Sequence, residues 1–465
     1  MTGGFWKHLM DVNRKATLPI EYEQCQRTGR IDALKMDWKK GMPNEPHIFW
    51  DSDIAKWIEA AAYSLGTVHD AELMAKVDAV VALMEKGQAP DGYLNSHYQT
   101  VEPQNRWTNL RDNHELYCAG HLIEGAVAYY EVTGKRAFLD VMCRYADHIA
   151  TVFGRGTGQK RGYCGHEEVE LALVRLYHAT GQKKYLDLAT YFINERGQKP
   201  HYFHEEAKAR GEDPKQYWAT TYEYCQAHVP VREITDIGGH SVRAMYLLTG
   251  MASVAGATGD ASLHEACERL WNRLVQRQMH VTGGLGAVAR NEGFTTDFDL
   301  PNEGAYLETC AAIGLIFWAQ RMLDWGADSR YSDVVELALY NGSISGVSAD
   351  GKHFFYGNPL AVYPGFDGNA VFRDKDFHYR RSEWFGCSCC PPNIARLLAN
   401  VPSLLYTARG DALEVHQFAS STAKLSVAGM NVGVTQKTDY PWDGTIALTI
   451  SPERIKAWTL AVRIP

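Results

Sequence analysis

The chain has 465 residues, of which 45% are hydrophobic and 22% are charged, and its formal net charge is −8. These average fractions exclude disordered and collagen-like sequence, and the length suits about three ordinary domains or one large repetitive domain. A mildly acidic chain without an evident basic face does not favour binding to nucleic acid.

The start of the chain and its apolar runs bear on its location. Residues 1–15 contain no apolar segment of the kind that a secretory signal needs. The longest clean apolar run covers residues 311–319, whereas a membrane-spanning helix needs about 20 residues. We therefore expect a cytoplasmic protein that does not enter a membrane, in which most of the ten cysteines are buried free thiols.

Apolar residues recur at helical spacing between about residues 50 and 400. Pairs of amphipathic helices are separated by a glycine turn, most clearly at Gly134, Gly181 and Gly259. The spacing of these turns is irregular, which is not typical of an open solenoid. We predict a mainly α-helical fold, an (α/α)6 barrel of six helical hairpins over residues 1–403, with an open helical array as the alternative.

The pattern changes near residue 403, where apolar and polar residues begin to alternate. Turn-forming residues cluster at 428–430 and 441–444. We predict that residues 404–465 begin a β-sandwich domain, and that the runs 445–450 and 458–464 pair as antiparallel strands. About 60 residues are few for a complete sandwich.

The sharpest local signal is Cys-Ser-Cys-Cys-Pro-Pro-Asn at residues 387–393. The two prolines suit the first turn of a helix, so the thiols lie at a helix N-terminus, where the dipole favours thiolates. Glu308 and Cys310 supply two further donors if Thr309 is the N-cap of the helix that follows. From the spacing alone, a zinc site, inert buried cysteines and redox chemistry all remain open.

Other polar residues could line a pocket. Four carboxylates lie in an irregular loop that leads into Glu308: Glu292, Asp297, Asp299 and Glu303. Such a loop is either solvated or supplies an acid/base carboxylate. Three histidines follow glycines near predicted helix starts: His121, His166 and His240. They either line one end of the ring or cap their helices, and Tyr356 and Trp384 either stack on a sugar or pack.

These segments resemble glycoside hydrolase family 127, whose founding activity is β-L-arabinofuranosidase. The resemblance runs through the helical part and includes residues 20–34 and 239–247. It is most specific in the ordered occurrence of Glu-Thr-Cys at 308–310 and Cys-Cys-Pro-Pro-Asn at 389–393. Members of the family usually run longer than this chain.

The resemblance implies an (α/α)6 barrel with added β-sandwich domains and a zinc ion (Zn2+). The implied zinc ligands are Glu308, Cys310, Cys389 and Cys390. It also implies that Cys389 is the nucleophile and Glu292 the general acid/base. The residues that it implies for sugar contacts are His240, His166, Glu336, Tyr356 and, as a weaker match beside His121, His114.

We therefore predict a retaining, exo-acting glycoside hydrolase. It would release non-reducing terminal β-L-arabinofuranose, or a closely related furanose, from plant-type glycans or oligosaccharides. The alternatives are a glycosidase in which Glu292 works with Asp297 or Asp299 beside a structural zinc, an inactive carbohydrate-binding protein, and a sugar epimerase. The expected partner is an oligosaccharide, with neither nucleic acid nor membrane, and a homodimer is allowed.

Overall fold

The computed structural model describes residues 1–219, 221–361 and 380–465. The described α-helices, in chain order, are α1 Gly4–Val12, α2 Leu18–Arg27, α3 Arg30–Ala33, α4 Trp50–Thr67, α5 Ala71–Gly87, α6 Ser96–Thr100, α7 Glu115–Thr133, α8 Ala137–Val152, α9 Val169–Thr180, α10 Lys183–Glu195, α11 Tyr202–Ala209, α12 Ser241–Thr258, α13 Ala261–Arg277, α14 Thr309–Met322, α15 Ser329–Leu337 and α16 Cys390–Ala399. The described strands are β1 Tyr406–Arg409, β2 Ala412–Val415, β3 Ser421–Val427, β4 Met430–Thr438, β5 Ile446–Pro452 and β6 Thr459–Val462.

Six helices form a closed inner ring. Contacts run from α4 to α7, α9, α12, α14 and α16 in turn, and α16 returns to α4. Five of these helices are followed by an outer helix (α5, α8, α10, α13 and α15), whereas the N-terminal helices α1 and α2 cover the sixth, α16. The predicted (α/α)6 barrel is therefore confirmed, and the open array is excluded because the last inner helix packs on the first.

The residue pattern explains which helices lie inside. On α13 the buried residues recur every three or four positions, from Leu263 through Leu270 to Leu274, so one face packs inward and the other meets solvent. Nearly the whole of α7 is buried, as expected for a helix with neighbours on all sides. The predicted stops at Gly134, Gly181 and Gly259 are confirmed, since each glycine ends its helix in the left-handed conformation.

The strands form two three-stranded sheets, with the orders β1-β2-β6 and β3-β4-β5. They enclose a small core of their own, made of Leu413, Val427, Met430, Val432 and Val434. The predicted turn at 428–430 is confirmed between β3 and β4, where Ala428 and Gly429 both have positive φ. In the part of the chain that the structure describes, no helix combines the length and the apolar character that crossing a bilayer requires.

The predicted pairing of residues 445–450 with 458–464 was wrong. The first run contributes to β5, which pairs antiparallel with β4, and the second to β6, which pairs parallel with β2. Leu460 of β6 lies opposite Leu413. Alternation tells which face of a strand is apolar, but not which neighbour the strand will find, because the partner depends on the path of the intervening chain.

Candidate active site

Four side-chain donors converge where two neighbouring inner helices begin. Glu308 immediately precedes α14 and Cys310 lies in its first turn, while Cys389 immediately precedes α16, which starts at Cys390. Because α14 and α16 are adjacent in the ring, residues far apart in sequence meet at one end of the barrel. Their donor atoms all lie within 4.8 Å of one another.

The separations within this cluster are close to those between donors that share one metal ion. Cys390 Sγ lies 3.3 Å from Cys310 Sγ and 3.7 Å from Cys389 Sγ, and Cys389 Sγ lies 3.6 Å from Glu308 Oε1. Thiolate and carboxylate donors on a tetrahedral ion with zinc-like bond lengths stand about 3.6–3.8 Å apart. The Glu308 and cysteine cluster can therefore bind a metal ion.

Electrostatics favour a cation at the same position. Burial raises the pKa of Glu308 well above its usual range, and the neighbouring Cys389 thiol adds to the effect. Burial likewise raises the pKa of Cys390. These groups resist ionisation on their own, so a cation bound among them would favour their anionic forms.

Thr309 does not cap α14, contrary to prediction. Thr309 is the first residue of the helix, and Glu308 occupies the N-cap position. The Thr309 hydroxyl donates to the carbonyl of Phe355, at 2.9 Å, and accepts from Asn358 Nδ2, at 3.0 Å. Helix α14 still starts at the position that places Glu308 and Cys310 together. The role of Thr309 is instead to bind α14 to the segment that carries Tyr356.

The backbone holds Glu292 against the start of α12. Glu292 has φ 54°, a left-handed conformation that costs a non-glycine residue free energy and is often found at functional sites. Its carbonyl accepts hydrogen bonds from Ser241 N, at 3.0 Å, and Ser241 Oγ, at 2.9 Å. A Cβ on Gly293 would lie 1.9 Å from the carbonyl oxygen of Gly239, so this close approach requires glycine.

Three side chains surround the Glu292 carboxylate. His240 Nε2 lies 3.2 Å from Oε2, and the Tyr224 hydroxyl donates to Oε1 at 3.3 Å. The Tyr306 hydroxyl lies 3.4 Å from Glu292 Oε2 and 2.7 Å from Glu308 Oε2, so it joins the two carboxylates. The predicted acid/base and the donor cluster therefore share one site.

Opposing influences act on the protonation of Glu292. Burial raises its pKa, but the charges of His240 and Arg243 and the hydrogen bonds from His240 and Tyr224 lower it, with a net pKa of about 2. Burial also lowers the pKa of His240. When His240 is neutral, the charge that contributes most to lowering the pKa of Glu292 is removed, so the pKa of Glu292 rises.

Histidines form a row beside this carboxylate. The ring of His166 lies 5.6 Å from that of His114 and 5.5 Å from that of His240, centre to centre. Burial lowers the pKa of His166 well below its usual range, and burial together with the charge of Arg243 lowers that of His114 to about 3. His121 is instead fully buried and lies 3.1 Å from Glu168, so His114 is the neighbour of His166.

Tyr356 lies at the cluster, with its hydroxyl 3.2 Å from Cys389 Sγ. Cys387 is exposed and lies 3.8 Å from the same hydroxyl, outside the group of four donors. Trp384 packs on the guanidinium of Arg30, which lies 5.4 Å from its ring centre, consistent with the packing role.

Sequence reasoning missed Tyr224 and Tyr306. Tyr306 stands two residues before Glu308, and that short spacing was the available signal. Tyr224 lies in a long connection between α11 and α12 that carries no recognisable periodicity, so only the folded chain brings it to Glu292.

The structure does not support the predicted sugar contact of Glu336. This residue lies on the outer helix α15, where its carboxylate accepts hydrogen bonds from Tyr440, at 2.5 Å, and Arg463. Both partners belong to the β part of the chain. Glu336 thus joins the barrel to the β part of the chain, because both of its carboxylate oxygens are engaged there.

The two aspartates proposed as partners of Glu292 have other roles. Asp297 forms ion pairs with Arg273 at 3.0 Å and Arg277 at 2.8 Å, both on α13, and Asp299 is exposed and accepts from Thr295 Oγ1 at 2.5 Å. The carboxylate that does share a site with Glu292 is Glu308, since donor atoms of His240, Glu292 and Glu308 lie within 4.8 Å of one another.

Comparison with known proteins agrees with this geometry. The family model described as the β-L-arabinofuranosidase GH127 catalytic domain matches residues 1–403, and the GH127 middle domain matches residues 412–465. A curated non-reducing end β-L-arabinofuranosidase of Bifidobacterium longum subsp. longum is 42% identical over 485 residues, covering 97% of this chain and 72% of that protein.

Two solved structures that resemble this chain are also GH127 enzymes. The crystal structure of a GH127 β-L-arabinofuranosidase from Geobacillus stearothermophilus T6 is 49% identical with a TM-score of 0.95, covering 100% of this chain and 74% of that chain. Another GH127 β-arabinofuranosidase is 38% identical with a TM-score of 0.88, covering 100% of this chain and 70% of that chain. The helical toroid with its carboxylate and thiol site is thus that of a glycoside hydrolase. The chain belongs to glycoside hydrolase family 127.

Proposed function

We propose that the protein is a retaining, exo-acting glycosidase that releases non-reducing terminal β-L-arabinofuranose, with Cys389 as nucleophile and Glu292 as acid/base. The observation that carries the proposal is the meeting of the two groups in one site. Cys389 Sγ lies 3.6 Å from Glu308 Oε1, and Tyr306 joins Glu308 to Glu292. The names of the relatives supply the sugar.

We also propose that zinc is the metal, because three thiols and one carboxylate make four donors, mostly soft, of the number and types that zinc binds in proteins. Its holders would be Glu308, Cys310, Cys389 and Cys390. When bound, zinc keeps the thiols deprotonated at neutral pH and fixes the direction of the Cys389 sulfur. The free thiols suit a reducing compartment such as the cytoplasm.

The two chemical steps follow from the positions of the side chains. In the first, Cys389 Sγ forms a bond to the anomeric carbon while the bond from that carbon to the leaving oxygen breaks, and the Glu292 proton passes to that oxygen. In the second, a water oxygen bonds to the anomeric carbon, the carbon–sulfur bond breaks, and the water proton returns to Glu292. Two inversions at one carbon give net retention.

His240 orients and tunes the acid/base. The backbone N–H of Val242 donates to His240 Nδ1 at 3.1 Å, so the neutral ring carries its proton on Nε2, directed at Glu292. His166 and His114 continue the row as neutral rings. We propose that this row and Tyr356 contact the hydroxyl groups of the bound furanose.

We propose a division of the chain at residue 403, with a catalytic domain before it and a β domain after it. The change from helices to strands and the separate core of the strands support this division.

A screen of aryl L- and D-furanosides with parallel metal analysis tests the proposed function. We expect release from the aryl β-L-arabinofuranoside and about one zinc ion per chain, since four donors form one tetrahedral site. Chelation should remove the zinc and the activity together. Sugar binding in calorimetry without release from any furanoside would instead indicate a carbohydrate-binding protein.

Glu292→Gln should lower kcat/KM for an alkyl furanoside by roughly 10²–10⁴-fold, because glutamine keeps the shape but can neither give nor take the proton. The loss should be smaller for a nitrophenyl furanoside, whose leaving group departs without protonation. Steady-state kinetics on both substrates measure the difference.

The matched control for this variant is Asp299→Asn on the same loop, which should retain activity within about twofold, as surface changes usually do. An equal loss in both variants would favour the carboxylate-pair mechanism over the one proposed here.

A further inference from the structure

We propose that Trp218 is the stacking platform for the sugar ring that leaves, and so determines the preference for a glycosyl over an alkyl leaving group. This inference rests on the proposed function and adds to it the position of the leaving group. It follows from a continuous row of rings that begins in the buried site and ends at an exposed indole.

The row continues from the histidines toward solvent. The ring of His240 lies 5.7 Å from that of Tyr224, and the ring of Tyr224 lies 4.6 Å from that of Trp218, edge to face. His166, His240 and Tyr224 are 6–7% exposed, whereas Trp218 is 58% exposed. The row therefore leads from buried rings in the site to an exposed ring at the protein surface.

The orientation of Glu292 gives the row a direction. Its Oε2 atom faces His240 and Tyr306, on the side of Glu308 and the cysteines, whereas its Oε1 atom faces Tyr224, on the side of Trp218. An acid that protonates the leaving oxygen stands between the ring under attack and the leaving group. The leaving group therefore lies on the Tyr224 and Trp218 side, and the furanose under attack lies on the cysteine side.

The surroundings of Trp218 hold it in place without covering it. Its neighbour Tyr217 is buried, with the Arg111 guanidinium 4.5 Å from its ring centre, and stacks on Tyr222 at 5.2 Å. The backbone at this point is thus anchored, while the indole faces outward. By contrast, Trp271 and Trp318 of the barrel are buried and pack on each other. An anchored, exposed indole beside the polar side chains of this site suits the apolar face of a sugar ring.

The test compares two substrates that share the β-L-arabinofuranosyl group. One has methanol as leaving group and the other has a second L-arabinofuranose, so only the disaccharide places a ring on Trp218. In the Trp218→Ala variant, the ratio of kcat/KM for the disaccharide to that for the methyl furanoside should fall about tenfold, equivalent to about 1.4 kcal/mol at 25 °C. Trp218→Phe should restore most of the ratio, because an aromatic face remains.

Trp442→Ala provides the matched control, since Trp442 is 81% exposed on the β part of the chain. It should leave the ratio unchanged. Equal losses on both substrates in Trp218→Ala would show a structural role, and no loss on either substrate would show no role, so either result overturns the inference while the proposed function stands. If the wild-type protein releases arabinose from neither substrate, the proposed function fails and the inference fails with it.

Discussion

Replacement of Cys389 by alanine should lower kcat/KM for an aryl β-L-arabinofuranoside by roughly 10⁴-fold or more, as expected for loss of a nucleophile. Alanine removes the atom that forms the covalent bond, and no neighbouring thiol has the same position. Cys310 and Cys390 are both buried in the donor cluster, whereas Cys389 is partly exposed and lies beside the Tyr356 hydroxyl. Initial-rate kinetics at saturating zinc measure the effect.

Three further measurements separate a nucleophile from a structural metal ligand. The variant keeps Glu308, Cys310 and Cys390, which is the three-ligand arrangement of catalytic zinc sites, so it should still bind zinc, though more weakly. Circular dichroism should show an unchanged helical content. Cys143→Ala, on the outer helix α8, should behave like the wild type. Turnover within tenfold of the wild type in a folded, zinc-loaded Cys389→Ala variant would contradict the role of nucleophile.

Arg396→Met should destabilise the protein by about 3–5 kcal/mol, because it removes one cation from a buried ion network. Arg396 is 2% exposed, and its Nη1 donates to Glu59 at 2.8 Å and Glu124 at 2.6 Å. Arg175 Nη1 donates to the other oxygen of each carboxylate, at 2.7 and 2.6 Å, respectively. Two arginines therefore balance two glutamates between inner helices of the barrel, and methionine would leave one carboxylate charge without its partner.

Urea denaturation of the wild type and variants measures this loss as a change in the free energy of unfolding. Arg330→Met is the control, since Arg330 pairs with Asp328 at 2.7 Å but its side chain is 51% exposed. It should cost no more than about 1 kcal/mol. Adding Glu124→Gln to Arg396→Met should recover part of the loss, as residues in one network couple. Equal effects of Arg396→Met and Arg330→Met would contradict the ion network described here.

The α helices and the cysteine motif show how far local pattern carries. Apolar periodicity and the turns at Gly134, Gly181 and Gly259 are local properties, so the hairpins were predictable. The order of Glu-Thr-Cys and Cys-Cys-Pro-Pro-Asn marks two helix starts, and the structure brings both to one end of the ring. The two motifs come together because α14 and α16 are neighbours in the ring, and no local sequence pattern predicts that arrangement.

Glu336, His114 and Trp218 show where local pattern stops. Glu336 lies in a segment that resembles the family, yet its partners Tyr440 and Arg463 lie next to strands more than 100 residues later in the chain. The sequence did not show which of His114 and His121 lies in the row of histidines. In the structure His114, just before α7, lies beside His166, whereas His121, within α7, lies beside Glu168. Trp218 lies in an irregular connection, and its exposure beside Tyr224 is a property of the folded chain alone.

The sequence by itself determined the helical class, the change to strands near residue 403, the family and the residue types of the candidate site, since these depend on periodicity and short motifs. Only the tertiary structure decided that the ring closes where α16 packs on α4, which strand pairs with β6, and which side chains surround Glu292. The physical reason is that the composition and periodicity of a segment limit which of its faces can be buried. The partner of that face is set by contacts between elements that are distant in sequence.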